Sequence, residues 1–278
     1  SKFLEDQASL DIIRSITEGD SLELQGEIHS GLVNLGLSSL LIPEEFGGLG
    51  LDLLFATAVS QSLGGGIAPI AFTGSYIMAP LAIIFGGNQI QKERYLTQMS
   101  KNSIRIGVGF SQYIGARDNS TIEINSNKIS GRSLFVLDAK DATHLMLSDA
   151  NGVIGLVSTN SSGIEIVELT TVDKTRSYSE VILNNVDVDV LEQTTSSNDA
   201  INKAVDGGRI ILAADSIGAS QRLIDKAVAY SKERKQFGRV IGSFQAVKHM
   251  CAEMAADLEP CYSLVWHAAY CFDNSPNE

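Results

Sequence analysis

Cysteine is scarce in this sequence of 278 residues, and its spacing excludes two of its common uses. The three cysteines, Cys251, Cys261 and Cys271, lie ten residues apart within one stretch of helical pattern. An odd number at this spacing forms neither a disulfide framework nor a metal knuckle. The four histidines are scattered, and none lies at metal-ligand spacing from another. We therefore expect reduced thiols in a cytoplasmic protein, and no metal site.

Positive charge is also in short supply, with 21 Lys and Arg against 33 Asp and Glu. The net charge of −12 and the pI near 4.8 argue against nucleic acid and against an anionic membrane surface as partners. The residues Ser1-Lys2-Phe3 do not begin a secretory signal, because no charged region leads into an apolar core.

Charged side chains are missing altogether from Leu53 to Gln91, and the part from Ile67 to Gly87 is long and apolar. A membrane-spanning helix needs ~20 such residues. Glycines and prolines divide this run, however, and no basic cluster flanks it. We therefore expect helices buried within the protein and no membrane span.

The first two-thirds of the chain change from a helical to an alternating pattern. Residues from about Ser9 to Leu35 have the spacing of two helices. One apolar face of this pattern consists of Leu24, Ile28, Leu32 and Leu35. From Ile104 to about Val190, short alternating runs separated by Asn, Gly, Ser and Asp predict β-strands in hairpin-like order.

Two long helices are predicted in the last third, from Asn198 to Ser231 and from about Phe244 to Phe272. We expect Pro260 to kink the second helix, because proline removes a backbone donor. We also expect an apolar stripe of that helix to be core. The stripe consists of Val247, Cys251, Met254, Leu258, Cys261, Val265 and Ala268.

The link between these two helices concentrates charge, an aromatic ring and a glycine. It contains Glu233-Arg234-Lys235-Gln236-Phe237-Gly238 and, after a short gap, Ser243-Phe244-Gln245-Ala246-Val247. Arg234 offers a planar fork of donors that suits a diphosphate, whereas Lys235 is a point charge. Phe237 could pack against a flat ring, and Gly238 permits a tight turn. Alone, the run is equally typical of a basic helix end that complements its own dipole.

Three segments, in this order along the chain, resemble acyl-CoA dehydrogenases. The first is the loop with Pro43-Glu44, Phe46 and Gly47-Gly48, and the second contains Gln91-Lys92 and Tyr95-Leu96. The third is the link from Glu233 to Val247. The resemblance implies an α+β fold with a helical N-domain (1–103), a middle β domain of barrel or sandwich type (104–192) and a helical-bundle C-domain (193–278). We expect that bundle to be incomplete in these residues.

The same resemblance implies FAD as the cofactor and an acyl-CoA as the substrate. In the family, the residues matched by Arg234, Gln236, Phe237 and Gln245 reach across a subunit interface to the adenosine diphosphate half of a neighbour's FAD. Arg209 lies in Asp206-Gly207-Gly208-Arg209, which matches a motif associated with acyl-CoA binding. Arg209 is therefore a candidate substrate contact; the alternative is a solvated or interface arginine.

Two stretches depart from the family pattern. Gly109 to Asp118 lacks the usual Thr-Glu-Pro-rich loop that binds the flavin edge. Phe135-Val136-Leu137 stands where the family has Trp-Ile-Thr, and Leu137 cannot donate a hydrogen bond to the flavin. We infer that this β domain no longer holds a flavin well.

A catalytic residue cannot be named from these 278 residues. The reaction needs a carboxylate to remove the α-proton while the flavin accepts the β-hydride. The family places this base on the loop before its final helix or, in some members, immediately before the residue matched by Arg209. The second place is Gly208 in this chain, and the first lies beyond its last residue, Glu278.

The chain most resembles subunits of heteromeric bacterial acyl-CoA dehydrogenases, such as those acting on sterol side chains, in which two related chains share each FAD site. The expected partners are a homologous subunit in a heterotetramer and an electron-transfer flavoprotein. One alternative is a homotetramer whose catalytic Glu follows residue 278 in a longer polypeptide. Two further alternatives are a non-catalytic assembly subunit and an oxidase that passes electrons to oxygen.

Overall fold

The structure, a computed structural model, describes residues 2–115 and 120–275, with the exception of the Leu22 side chain. Helices are followed by strands and then by helices, which confirms the predicted α+β order. The helices are α1 (Lys2–Gln7), α2 (Leu10–Glu18), α3 (Leu22–Asn34), α4 (Leu53–Gly65), α5 (Ala79–Gly86), α6 (Gln89–Ser100), α7 (Asp199–Glu233) and α8 (Gln245–Asn274). A π-helical segment, Thr73–Met78, precedes α5.

The strands lie between α6 and α7, with one further pair between α7 and α8. They are β1 (Ile106–Gly109), β2 (Glu123–Asn125), β3 (Lys128–Leu137), β4 (His144–Ser148), β5 (Ile154–Ser158), β6 (Ile164–Glu168), β7 (Tyr178–Asp187), β8 (Asp189–Val190), β9 (Lys235–Gln236) and β10 (Arg239–Val240). The predicted β region from Ile104 to Val190 is therefore confirmed.

The chain divides into two compact units. The first contains the described parts of 1–13, 53–68 and 210–278, and the second contains those of 14–52 and 69–209. Long helix α7 begins in the second unit and continues into the first.

In the first unit, two glycines allow α4 and α7 to approach at backbone distance. A Cβ atom at Gly64 would lie 2.0 Å from the carbonyl oxygen of Asp215, and one at Gly218 would lie 1.9 Å from the carbonyl oxygen of Gln61. The hydroxyl of Ser60 donates to the carbonyl oxygen of Ile211 at 2.9 Å in the same contact. Any larger side chain at either glycine would force the helices apart.

In the second unit, eight strands form one mixed sheet in the order β6-β7-β3-β1-β4-β5-β8, with β2 paired to β3. All neighbouring strands are antiparallel except β1 and β4, which pair in parallel from Ile106 opposite His144 to Gly109 opposite Leu147. Buried side chains such as Ile129, Leu145 and Val181 form the core of this region. The sheet includes the last residues of β3, Phe135-Val136-Leu137, which stand where the family has its flavin-contacting Trp-Ile-Thr.

Helix α6 is tied to this sheet through its first turn. Asn88 and Gln91 form a reciprocal capping box, with each side chain accepting from the other residue's backbone N–H. The Gln91 amide then donates to the Asp189 carboxylate at 2.6 Å, and Tyr95 donates to the same carboxylate at 2.8 Å. The Gln-Lys and Tyr-Leu segment of the sequence therefore has a structural role.

The uncharged run forms α4, the π-helical segment and α5, and the side chains from Thr73 to Ala82 are buried. None of the helices within 2–115 and 120–275 combines the length and the apolar content that a membrane crossing requires. The predicted pair of helices from Ser9 to Leu35 is confirmed as α2 and α3. Their predicted apolar face is half right, because Ile28 and Leu32 are buried whereas Leu35 is 62% exposed beyond the end of α3.

The prediction that the stripe on α8 is core is wrong for part of the stripe. Met254 and Ala268 are exposed, and the buried residues of α8 are Ala269 and Cys271. The reason is that α4 packs against α8 near its C-terminal end, where Asp273 accepts a hydrogen bond from the Leu53 backbone N–H at 2.9 Å. Pro260 lies inside α8, and the helix continues on both sides of it. Within the described part of the chain, none of the three cysteines forms a disulfide.

Replacing Gly218 by Ala tests the helix contact of the first unit. We expect the free energy of unfolding to fall by about 1–3 kcal/mol, because the new methyl group meets the Gln61 backbone. Gly26→Ala is the matched control, since Gly26 lies in α3 and a methyl group there would have nothing within 4 Å of it. That change should be neutral or stabilise by up to about 1 kcal/mol. Urea unfolding compares the two variants, and equal effects would contradict the close approach.

Candidate functional site

The link between α7 and α8 is a β-hairpin that closes on two residues. In it, Gln236 pairs with Arg239 and Lys235 with Val240. Phe237 and Gly238 form the turn, with φ of +53° and +78°. Two-residue hairpin turns of this kind require positive φ at both positions, because that twist matches the twist of the strands. The turn at Gly238 was predicted; the left-handed backbone of Phe237 was not.

The hairpin places the Phe237 ring on the surface, with 91% of the residue exposed. Phe244 lies beside it in a T-shaped arrangement, with the ring centroids 6.2 Å apart and an interplanar angle of 85°. The Arg239 guanidinium stacks on Phe244 at 4.0 Å from the ring centroid. The sequence analysis did not identify Arg239. The available signal was its position five residues before Phe244, which directly precedes α8. The three side chains form a supported aromatic platform.

The structure brings the four predicted cofactor-binding residues into one exposed stretch. Arg234 and Gln236 lie on the hairpin, Phe237 lies at its tip, and Gln245 is the first residue of α8. The Arg234 backbone is fixed by hydrogen bonds to the Tyr230 carbonyl oxygen at 2.9 Å and from the Ile241 N–H at 2.8 Å. Its guanidinium has no hydrogen bond or ion pair within the described part of the chain.

Arg209, the predicted substrate contact, lies on α7 apart from the hairpin in sequence. Its guanidinium donates to the carboxylate of Asp206 at 3.0 Å, one turn earlier on the same helix, and both side chains are largely exposed. Immediately before it, a Cβ atom at Gly208 would lie 2.8 Å from the sulfur atom of Met78. The thioether of Met78 therefore occupies the space that a side chain at position 208 would need.

The end of β3 is irregular where the family pattern predicts flavin contacts. The pairing with β7 shifts between Ser133 and Val136, and Phe135 has a φ of +53°. This bulge buries Val136 and leaves Phe135 partly exposed. Leu137 follows as a half-buried residue without a side-chain donor.

The loop after β1 uses its polar side chains within the protein. The hydroxyls of Ser111 and Ser120 share a hydrogen bond at 3.0 Å, and the Gln112 side chain accepts from the Ile122 N–H. Tyr113 donates to Asn202 at 2.8 Å. The predicted departure from Gly109 to Asp118 is described as far as Gly115; its remainder lies outside the described residues.

Directly after Leu137, the carboxyl group of Asp138 accepts a hydrogen bond from the Ser75 N–H at 3.2 Å. Burial of this carboxyl group raises its pKa from 3.8 to about 6, although that hydrogen bond and the nearby charges of Arg176 and Arg105 lower the pKa. The folded protein therefore binds a proton at Asp138 more tightly than the unfolded chain does.

Comparison of the chain with other proteins identifies its family. The N-terminal domain of acyl-CoA dehydrogenases matches residues 2–103, and the C-terminal domain of the same family matches residues 199–278. The chain belongs to the acyl-CoA dehydrogenase family. This family consists of FAD-dependent oxidoreductases that act on the CH–CH bond of acyl-CoA thioesters, so the predicted enzyme class and cofactor are confirmed.

Individual relatives are similar over most of this chain. It is 26% identical over 303 residues to the caffeyl-CoA reductase-Etf complex subunit CarC of Acetobacterium woodii, covering 99% of this chain and 78% of CarC. It is 31% identical over 220 residues to the acyl-CoA dehydrogenase IpdE2 of Mycolicibacterium smegmatis, covering 79% of this chain and 58% of IpdE2. A solved structure of the steroid ACAD Tcur3481-Tcur3483 (G363A variant) superimposes with a TM-score of 0.84 at 25% identity, covering 99% of this chain and 76% of that chain.

A pH series on Asp138→Asn tests the buried carboxyl group. Because the folded pKa is raised, ionised Asp138 destabilises the native state above pH 6, and this penalty disappears as the pH falls from about 6 towards 3.8. At pH 8 we expect the Asn variant to be more stable by about 2–3 kcal/mol, since one pKa unit corresponds to about 1.4 kcal/mol. The advantage should shrink at pH 5. Thermal or urea unfolding at pH 8, 6 and 5 measures it; a constant difference would contradict the raised pKa.

Proposed function

We propose that this chain is a subunit of an FAD-dependent acyl-CoA dehydrogenase that oxidises an acyl-CoA between its α and β carbons. In this proposal the chain supplies adenosine diphosphate contacts to an FAD whose reactive ring lies in a homologous partner subunit. The proposed domains are 1–103, 104–192 and 193–278. The likeness to a steroid ACAD favours a sterol side-chain acyl-CoA as the substrate.

The observation that carries the proposal is the exposed aromatic platform of the hairpin. An aromatic side chain that is 91% exposed gains nothing from its own core, and the left-handed backbone of Phe237 adds strain. Such a cost is typical of a binding position. The flat face of Phe237 can contact a nucleotide, while Phe244 and Arg239 limit the freedom of its ring.

The same hairpin offers the donors that a diphosphate needs. Arg234 has a fixed backbone and an exposed guanidinium fork, and Gln236 and Gln245 are exposed amides nearby in the chain. Bidentate arginine contacts to phosphate oxygens are among the strongest hydrogen bonds that proteins make. The residues of the hairpin therefore fit the adenosine diphosphate half of FAD.

The β3 end and the loop after β1 fit the reactive half of FAD poorly. Leu137 has no hydrogen atom to donate, and Ser111 and Gln112 already use their polar atoms inside the protein. When bound, FAD supplies the acceptor for the hydride of the substrate. This mismatch supports a flavin ring seated in a different subunit.

A catalytic base on α7 is also disfavoured in this chain. Position 208 is a glycine and carries no carboxylate, and a larger side chain there would have to displace the Met78 thioether, whose sulfur atom lies 2.8 Å from the place of the Cβ atom. We propose that the partner subunit removes the α-proton. Arg209, after release from Asp206, is the proposed contact of this chain to the substrate.

The proposed partners are a homologous subunit in a heterotetramer and an electron-transfer flavoprotein. The similarity to CarC, which is named as a subunit of a complex with Etf, supports the second partner. A cytoplasmic location is proposed with them.

Flavin stoichiometry tests the shared site. We expect the native complex to hold one FAD per two different chains, because only one chain of each pair offers donors to the flavin ring. Mass measurement of the purified complex and flavin absorbance determine the ratio. An active, yellow homotetramer of this chain with one FAD per chain would refute the partner role and favour the self-sufficient enzyme.

Replacing Arg234 by Ala tests the hairpin in the purified complex. We expect FAD to bind about 10- to 100-fold more weakly, because a hydrogen bond to a charged group contributes about 1.5–3 kcal/mol. Arg222→Ala is the control, since Arg222 is an exposed arginine of α7 away from the hairpin. FAD release measured by fluorescence during dialysis compares the variants. Unchanged retention in both would favour a non-catalytic assembly role.

A further inference from the structure

The second unit contains a cavity of about 910 Å³ that the proposed flavin and substrate contacts do not use. Its walls come from α2 and α3, from the segments 69–75 and 102–105, and from two stretches of the β region, 138–143 and 168–177. This volume is in the range of small-molecule sites, which hold about 300–1,000 Å³. The cavity is made within one unit, and its walls contain none of the hairpin residues.

A half-buried arginine, Arg105, lines this cavity. Within the described part of the chain, the Arg105 guanidinium makes no hydrogen bond and no ion pair. The Arg105 backbone, in contrast, is fixed: its N–H donates to the Thr143 hydroxyl at 3.1 Å, and its carbonyl oxygen accepts from the Thr143 and His144 N–H groups. A guanidinium has five donors, and leaving them unused in a partly buried place is unfavourable unless a ligand or water accepts them.

The other charges of the cavity leave Arg105 available. Lys140 is neutralised by Glu168 at 3.0 Å. Asp138 directs a carboxyl oxygen to the Ser75 N–H instead of forming a direct ion pair with Arg105. The remaining lining groups are balanced, with Lys174 and Arg176 basic and Glu18 and Asp141 acidic. The acidic and basic side chains of the lining therefore balance, although the whole chain carries a net charge of −12.

The floor of the cavity is neutral and partly apolar. His29 lines the cavity and shares a hydrogen bond at 2.8 Å with Tyr76. Burial lowers the pKa of His29 and raises the pKa of Tyr76 to about 12, which favours the uncharged form of both rings. Ile16, Ile70 and Ile104 supply apolar surface beside them. A ligand with an anionic end and a less polar body matches this combination.

We propose that this cavity binds a small molecule that carries an oxyanion, either a carboxylate or a phosphate, with Arg105 as its anchor. The guanidinium fork binds the oxyanion, and the isoleucine floor contacts the body of the molecule. No residue of this site belongs to the hairpin, and the proposal does not depend on the FAD partnership.

Calorimetric titration of the full-length protein, purified with its flavin and any partner chain, tests the proposal. The two probes are sodium phosphate and sodium butyrate, with sodium chloride added to keep the ionic strength constant. We expect one of them to bind saturably with one site per copy of this chain. Saturation by phosphate identifies a phosphate-type ligand, and saturation by butyrate identifies a carboxylate-type ligand.

Variants assign the binding to Arg105. Arg105→Gln should weaken it about 10- to 100-fold, since it removes a hydrogen bond to a charged group. Arg105→Lys keeps the charge without the fork, so its affinity should be intermediate; it also decides the matter if the Gln variant fails to fold. Lys101→Gln removes an equal charge four residues away, outside the cavity wall, and should leave affinity within about twofold.

Three results would overturn the proposal. They are the absence of saturable binding of both probes, an unchanged affinity in the Arg105 variants, and an equal loss in Lys101→Gln, which would indicate a bulk charge effect.

Discussion

Four residues of extended backbone and two of left-handed backbone determine what the C-terminal helices present to other molecules. Because Lys235–Gln236 pairs with Arg239–Val240, the chain must reverse at Phe237 and Gly238 with positive φ at both. Glycine adopts that backbone without cost, whereas phenylalanine does so only under restraint. The pairing supplies the restraint and sends the aromatic ring outward. The same turn leaves the side chains of Arg234, Gln236 and Arg239 exposed on either side of it.

The two regions that a flavoenzyme subunit needs are developed unequally in this chain. The hairpin keeps its donors and its ring at the surface, ready for another molecule. In the second unit, by contrast, Met78 fills the space beside Gly208, and the hydroxyl of Ser111 is bonded to Ser120. Space and polar atoms that a reactive centre would use are therefore taken up by packing and by hydrogen bonds within the chain. This asymmetry is the physical content of the proposed division of labour between two subunits.

Sequence pattern predicted the element order and the tight turn at Gly238, because periodicity and glycine placement are local properties. It could not anticipate Phe237 with positive φ, since that backbone follows from strand pairing across the turn. The apolar stripe of α8 misled for a related reason: which side becomes buried depends on where α4 packs, and periodicity does not contain that information. The cavity around Arg105 depends on several separate segments and has no sequence motif.

In the proposed complex, a copy of the chain without its partner leaves the Phe237 ring exposed to water. Contact of a partner with this ring would remove its apolar surface from water, which is favourable. Because only an assembled copy gains that contact, assembly would raise the free energy of unfolding of the chain by mass action.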